Sequence, residues 1–182
     1  MCGFLGNCSF NDKISISTLR SATKSLEKRG PDANGEFINK EVSFFHHRLS
    51  IIDLSDTANQ PFKCEETGNV IVYNGEIYNY LEIKKNLIRE HKIKFKTNSD
   101  TEVILLAYKY LGIKKLLKQL DGMFTFAIWD NIKKQVILAR DKLGEKPLFY
   151  SNSEKYGLIF GSTFNSVMKS FNKKDNFKIS NK

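Results

Sequence analysis

The sequence predicts an α+β layered domain, on three observations. Short apolar, β-branched runs bounded by turn residues recur from Gly3 to Phe160, as strands do. Helix-period patterns fall in blocks between sets of strands. The chain, 182 residues with 41% hydrophobic and 27% charged, is long enough for one domain with a substantial core.

Taken in order, Gly3–Phe10 reads as an apolar strand starting almost at the terminus. From Ser17 to Arg29, Leu19, Ala22 and Leu26 repeat at helical spacing, with Lys28 and Arg29 in the last turn and Gly30-Pro31 as the stop. Strands are expected at Gly35–Ile38 and Val42–Ile52, then a polar loop over Asp53–Pro61. Val70–Tyr73 is a β-branched run expected to end at the turn-forming dipeptide Asn74-Gly75. A helix over Asn79–Glu90 places Tyr80, Ile83 and Leu87 on one face. A second opens at Ser99-Asp100-Thr101-Glu102, which matches the capping box, carries Val103, Leu106, Ala107 and Tyr110, and stops near Gly112. Gly122–Trp129 and Gln135–Arg140 are expected as buried strands of a hairpin around Asp130-Asn131, the Phe124/Phe126/Ile128 alternation serving as core. Pro147–Ser151 and Gly157–Phe160 are further strands, a short helix follows Ser162, and the Lys/Asn/Ser-rich end is expected to be a frayed tail.

Several function classes are set aside by composition. No apolar run approaches the ~20 residues of a membrane span, and no segment reads as a secretory signal, so a cytoplasmic location is expected. Cys2, Cys8 and Cys64 form neither a disulfide framework nor a C-x-x-C metal pair; Cys8 and Cys64 are expected as buried thiols. His46 and His47 are adjacent in a strand, hence on opposite faces, and no metal is expected. The formal charge of +9 comes from lysines on the polar faces of amphipathic stretches; with no aromatic-basic motif beside them, nucleic acid is not the expected partner.

The chemistry starts at Cys2. Its small side chain permits removal of Met1, which leaves an α-amine beside a thiol. An α-amine titrates near ~7.7–8.0 and a free thiol near ~8.5, so the amine can serve as a built-in base near neutrality. Cysteine also suits acyl transfer through a thioester. Around it stand residues of the matching types. The Asn74 side-chain amide and the Gly75 N–H make a two-donor oxyanion hole. Arg48, a charge in an apolar strand, has the planar fork that suits a carboxylate. Asp100 and Glu76 would hold an ammonium, although Asp100 also complements a helix dipole where it stands.

Eight ordered blocks then resemble the N-terminal glutaminase domain of glutamine-dependent asparagine synthetases over about residues 2–162: Met1-Cys2-Gly3-Phe4-Leu5-Gly6, Arg29-Gly30-Pro31-Asp32, Arg48-Leu49-Ser50-Ile51-Ile52-Asp53, Gln60-Pro61, Asn74-Gly75-Glu76-Ile77-Tyr78-Asn79, Ser99-Asp100-Thr101-Glu102-Val103-Ile104, Gly122 through Asp130, and Arg140 through Leu148. The resemblance implies the four-layer sandwich of the N-terminal nucleophile hydrolases, two stacked antiparallel sheets between helical layers. It implies a class II glutamine amidotransferase domain over 2–168 and a basic tail over 169–182. It implies Cys2 as nucleophile on glutamine, Asn74 and Gly75 at the oxyanion, Arg48 on the α-carboxylate, Glu76 and Asp100 on the α-ammonium, and Ile52 in the pocket wall. Arg29-Gly30-Pro31-Asp32 resembles the loop that closes over bound glutamine.

The resemblance has limits that shape the expectation. The Ser-Gly-Gly-x-Asp-Ser phosphate loop of the family's ATP-pyrophosphatase domain does not occur in these residues, so no cofactor is expected in this chain. ATP and magnesium are expected only on a synthetase domain or partner subunit, and the chain is a truncation, a short gene product or a split subunit. Thr163 stands where the family's Phe-Ala-Ser-Glu run has Glu. The expected function is glutamine hydrolysis that supplies ammonia for asparagine-synthetase-type amidation of aspartate. The alternative is a non-catalytic glutamine-sensing or protein-interaction module retaining the fold.

Overall fold

A computed structural model of the chain describes residues 1–10 and 14–171. Its strands form two antiparallel sheets. In the first, β1 (Gly3–Cys8) is central, with β3 (Val42–Arg48) and β2 (Ala33–Ile38) on one side, and β9 (Gly157–Gly161) and β8 (Phe149–Ser153) on the other. In the second, β5 (Val70–Ile77) and β6 (Gly122–Asp130) are central, flanked by β4 (Phe62–Lys63) and β7 (Gln135–Arg140). Helices α1 (Ile16–Thr23) and α4 (Phe164–Lys169) cover the outer face of the first sheet. Helices α2 (Tyr80–His91) and α3 (Asp100–Gln119) cover that of the second.

The strand period of two builds these layers. In β1, Phe4 and Cys8 face the second sheet, where Val70, Val72, Ala127 and Trp129 meet them, while Leu5 faces Leu19 and Leu26 on the helical side. In β6, Phe124, Phe126 and Ile128 turn the other way, toward α2 and α3. With both faces of the central strands covered, β1 exposes nothing and reads as a continuous apolar run. The expected four-layer sandwich is the fold observed.

Several expected boundaries move, each for a local reason. The helix expected over Ser17–Arg29 becomes α1 plus a 3-10 turn at Lys24–Leu26. There the Thr23 and Ser25 hydroxyls donate to the Arg20 and Ala22 carbonyls at 2.8 and 2.7 Å, in competition with the helical ladder. β3 ends at Arg48 and not at Ile52, because the Leu49 and Ser50 N–H groups donate instead to Cys2 Sγ and Asp32 Oδ2. β5 runs through Asn74-Gly75 to Ile77, so that dipeptide is strand and not turn. Gly75 is required there by closeness: a Cβ would lie 2.2 Å from the Met123 carbonyl oxygen.

The capping box does not close. Ser99 caps Thr101 N–H at 3.1 Å, but the Glu102 carboxylate accepts from the backbone of Lys96 and Thr97. α3 breaks where the sequence predicts, at Gly112 (φ 73°), and then resumes to Gln119. β7, expected buried, buries only Ala139 because it is a sheet edge. The two-residue β4 was not expected. Near the end, α4 reaches Lys169 and the Phe171 ring packs on Tyr156; residues 172–182 of the expected tail lie outside the described residues.

Candidate active site

A cavity of about 130 Å³ lies where β1, β3 and β5 begin or end, and the seven residues expected at a site, Cys2, Arg48, Ile52, Asn74, Gly75, Glu76 and Asp100, all line it. Cys2 immediately precedes β1. Its thiol donates to the Leu49 carbonyl at 3.5 Å and accepts from the Leu49 N–H at 3.3 Å. Burial pushes the thiol pKa up, opposed by the Leu49 N–H, the chain's terminal ammonium and Arg48. A thiol so placed needs a base to ionise it. Met1 also lines the cavity, and Lys146 Nζ donates to its sulfur at 3.3 Å.

Strand geometry explains the β5 residues. Even-numbered positions face the first sheet with Val70 and Val72, so Asn74 and Glu76 project from the face nearest Cys2. Odd-numbered N–H groups point along the strand's outer edge, beyond the reach of β4. On that edge Tyr73 N–H donates to Gln60 Oε1 at 2.6 Å and Ile77 N–H to Asp100 Oδ2 at 3.1 Å. The Gly75 N–H, midway between them, leaves from the same edge, and Gly75 lines the cavity. Beside it, Asn74 Nδ2 is buried and has no hydrogen-bond partner among the described residues. Natural proteins rarely leave such a donor unmet, because its desolvation costs about 1–3 kcal/mol. Two adjacent residues that carry donors thus line the cavity that Cys2 also lines.

The charged residues divide by wall. Arg48 is 7% exposed, and its guanidinium is held by neutral oxygens: Ser55 O at 2.9 Å, Asn59 Oδ1 at 2.7 Å, and the Asp53 carbonyl. No carboxylate pairs with it among the described residues, so its charge stays available to an anion in the cavity. Asp100, in the first turn of α3, is buried against β5; burial pushes its carboxyl up, against hydrogen bonds from Tyr73, Ile77 and Thr101. Ile52 is a partly exposed wall residue.

A family model described as the glutamine amidotransferase domain matches residues 1–180. The chain belongs to that family. Within it, asparagine synthetase [glutamine-hydrolyzing] 2 of Bacillus subtilis is 40% identical over 92% of this chain and 22% of that protein. Putative asparagine synthetase [glutamine-hydrolyzing] 2 of Methanocaldococcus jannaschii is 35% identical over 97% of this chain and 37% of that protein. The chain thus spans well under half the length of these relatives. Among solved structures, the glutamine phosphoribosylpyrophosphate amidotransferase of B. subtilis, complexed with ADP and GMP, shares the fold with a TM-score of 0.75 over 93% of this chain and 43% of that one, at 19% identity.

For this amidotransferase domain the structure also brings in residues that sequence reasoning missed. Tyr73, Gln60, Leu49 and Lys146 all line the cavity. Leu49 acts through its backbone, which no side-chain pattern reveals. Gln60 stands beside Pro61 in a family-like dipeptide, but its amide spans from Tyr73 N–H to the Thr101 hydroxyl, a long-range tie. Arg29 Nε donates to the Cys2 carbonyl at 3.0 Å and Asp32 Oδ2 accepts from the Ser50 N–H at 2.7 Å, so the Arg29-Gly30-Pro31-Asp32 segment is tied to the nucleophile and to the loop after β3. Arg140 through Leu148 includes a structural loop, in which Asp141 accepts from the N–H groups of Phe124, Glu145 and Lys146 and sets Lys146 at the cavity. His46 points inward, its Nε2 3.0 Å from the Tyr73 carbonyl, and burial pushes its pKa down to about 3. Thr163 caps α4 by accepting from Ser166 N–H at 3.1 Å, so the departure from the family run keeps a helix start. Among the described residues no helix is long and apolar enough to cross a membrane, and no group of three or more His, Cys, Asp or Glu side chains could hold a metal.

Proposed function

We propose that this domain hydrolyses glutamine to glutamate and ammonia with Cys2 as the nucleophile, once Met1 is removed. The observation that carries the proposal is the unpartnered Asn74 Nδ2 beside the Gly75 N–H edge, both lining the same cavity as the thiol. The α-amine of Cys2 takes the thiol proton, and the sulfur attacks the carboxamide carbon. The oxyanion that forms is held by Asn74 Nδ2 and the Gly75 N–H. The C–N bond then breaks, the amine's proton goes to the leaving nitrogen, and ammonia departs from a thioester. Water, deprotonated by the same amine, releases glutamate. Arg48 holds the substrate α-carboxylate, Glu76 and Asp100 the α-ammonium, and Ile52 bounds the pocket.

We further propose that the ammonia serves an asparagine-synthetase-type amidation of aspartate in the cytoplasm. The relatives' names support the amidation step. ATP and magnesium would bind a synthetase domain or partner subunit, and this chain would itself need no cofactor.

The test combines ammonia release with intact mass. Processed protein should release ammonia from glutamine and gain one adduct on Cys2 with diazo-oxo-norleucine, without response to ATP, aspartate or magnesium. Protein retaining Met1, and Cys2→Ala, should be folded and inactive. Equal turnover by the Met1-bearing form would refute the mechanism.

A further inference from the structure

Asp100 receives its orientation from β5. Its Oδ2 accepts from the Tyr73 hydroxyl at 2.7 Å and from the Ile77 N–H at 3.1 Å, both in buried surroundings. Two donors on one oxygen fix the plane of the carboxylate and leave Oδ1 for the helix's own first turn and for a cation in the cavity.

Tyr73 is itself immobilised along its whole length. Its N–H donates to Gln60 Oε1 at 2.6 Å, and its carbonyl pairs with His46 Nε2 at 3.0 Å. Its ring is buried in the layer between the second sheet and α2–α3. Gln60 Nε2 reaches the Thr101 hydroxyl at 3.3 Å, so one amide spans strand and helix. A phenol so anchored cannot follow a drifting carboxylate; it determines where the carboxylate stays. The ionisable side chains that line the cavity with Asp100 are Cys2, Arg48, Asp53, Tyr73, Glu76 and Lys146.

We propose that Tyr73 is a positioning residue for substrate selection: its hydroxyl aims Asp100 at the substrate's α-ammonium, so that the site separates an α-amino acid from the same amide lacking the amino group. This rests on the reading of the cavity as a glutamine site. The role is distinct from simple core packing because it concerns one end of the ligand only.

The test is calorimetry on processed Cys2→Ala protein, which binds without turnover, using glutamine and 4-carbamoylbutanoate (glutamine without its α-amine). Adding Tyr73→Phe, which keeps the ring, should weaken glutamine by about tenfold, the effect of one hydrogen bond to a charged group, and the analogue by less than about twofold. Tyr108→Phe is the control. It removes the same kind of bond, from a buried tyrosine to Asp130, away from the cavity, and should leave the ratio of the two affinities unchanged. Equal weakening of both ligands by Tyr73→Phe, or the same loss of ratio with Tyr108→Phe, would overturn the inference and leave the proposed function standing. Failure of Cys2→Ala to bind glutamine at all would remove the proposed function, and this inference with it.

Discussion

The cavity has two walls of different construction. On one side Asn74, Gly75 and Glu76 sit in β5, paired residue by residue with β6, and Asp100 opens a helix packed on that strand. On the other, Leu49–Asn59 follows the end of β3 with no ladder, and Ile51 and Leu54 are 60% and 77% exposed. The strand wall is held by its own ladder, so under the proposed function its donors would be preorganised for charge that develops during reaction. The loop wall is held largely by Arg48, which binds three of its oxygens, and by Asp53, which accepts from Asn98 N–H at 2.7 Å. Under the proposed function Arg48 would therefore both recognise substrate and clamp its own wall. Asn74 carries no such second duty, since its Nδ2 is unpartnered.

Asn74→Ala should then produce the largest separation between chemistry and structure. The expected loss is about 10²–10³-fold in kcat, with KM nearly unchanged, because the oxyanion exists only in the transition state. Thermal stability should hold, since no hydrogen bond from Nδ2 is removed. A rise in KM with kcat intact would mean that the amide binds ground-state substrate and that the strand wall is no more specialised than the loop.

Arg48→Ala should act in the opposite way, raising KM by about 10²-fold, the loss of a charged, hydrogen-bonded contact, while lowering stability by about 1–3 kcal/mol as the carbonyls of Asp53 and Ser55 lose their donor. Limited proteolysis within residues 49–59 should speed up in this variant and not in Asn74→Ala. Unchanged cleavage would show that the loop is held by something other than Arg48.

The two walls were also unequally legible in the sequence. β5 declared itself as an apolar run, and Asn74-Gly75-Glu76 followed it in plain view. Only the identification of Asn74-Gly75 as a turn was wrong, since a close approach of strands demands Gly as firmly as positive φ does. The layered fold was legible for the same reason: alternation in β6 separates Phe124, Phe126 and Ile128 from Ala127 and Trp129. The loop wall was not. Leu49-Ser50-Ile51-Ile52 has strand composition, yet its first two N–H groups, of Leu49 and Ser50, are taken by Cys2 and Asp32, residues 47 and 18 positions away. Tyr73 and Gln60 looked like core and loop because their roles lie in single long-range hydrogen bonds, which leave no periodic trace.

Gly75→Ala sharpens the comparison by straining the rigid wall without deleting a donor. The added Cβ meets the Met123 carbonyl oxygen at 2.2 Å and Phe124 Cα at 2.7 Å, both backbone that cannot swing aside. Overpacking of this kind costs about 1–3 kcal/mol, and the displaced N–H should lower kcat as well. Denaturant melts beside steady-state rates check both. A stable, fully active variant would show that β5 can shift without losing its donors, and the wall would not be rigid.

The smallest effect concerns the two acids that serve opposite walls, whose pKa values move in opposite directions. Hydrogen bonds from the Ser55 hydroxyl, then from the Asn98 and Ser55 N–H groups, hold the Asp53 carboxyl below the usual carboxylate range, whereas burial raises that of Asp100. A depressed pKa gives stability that is present above the unfolded value of about 3.9 and is lost as pH falls through the lower folded value. The loop tie should thus survive mild acidification. Asp100, with its raised value, takes up its proton before Asp53 on acidification, and under the proposed function would then give up its attraction for the ammonium. Under the proposed function the acid-side rise in KM is therefore expected to come from Asp100. Asp53→Asn, which loses part of one exposed tie, should raise KM at neutral pH by no more than about fivefold, equivalent to roughly 1 kcal/mol, and leave the pH at which KM begins to rise unchanged. Measuring KM across the acid range in both proteins decides it: a shifted acid limb in Asp53→Asn would place the titrating group on the loop and reverse the assignment of the two walls.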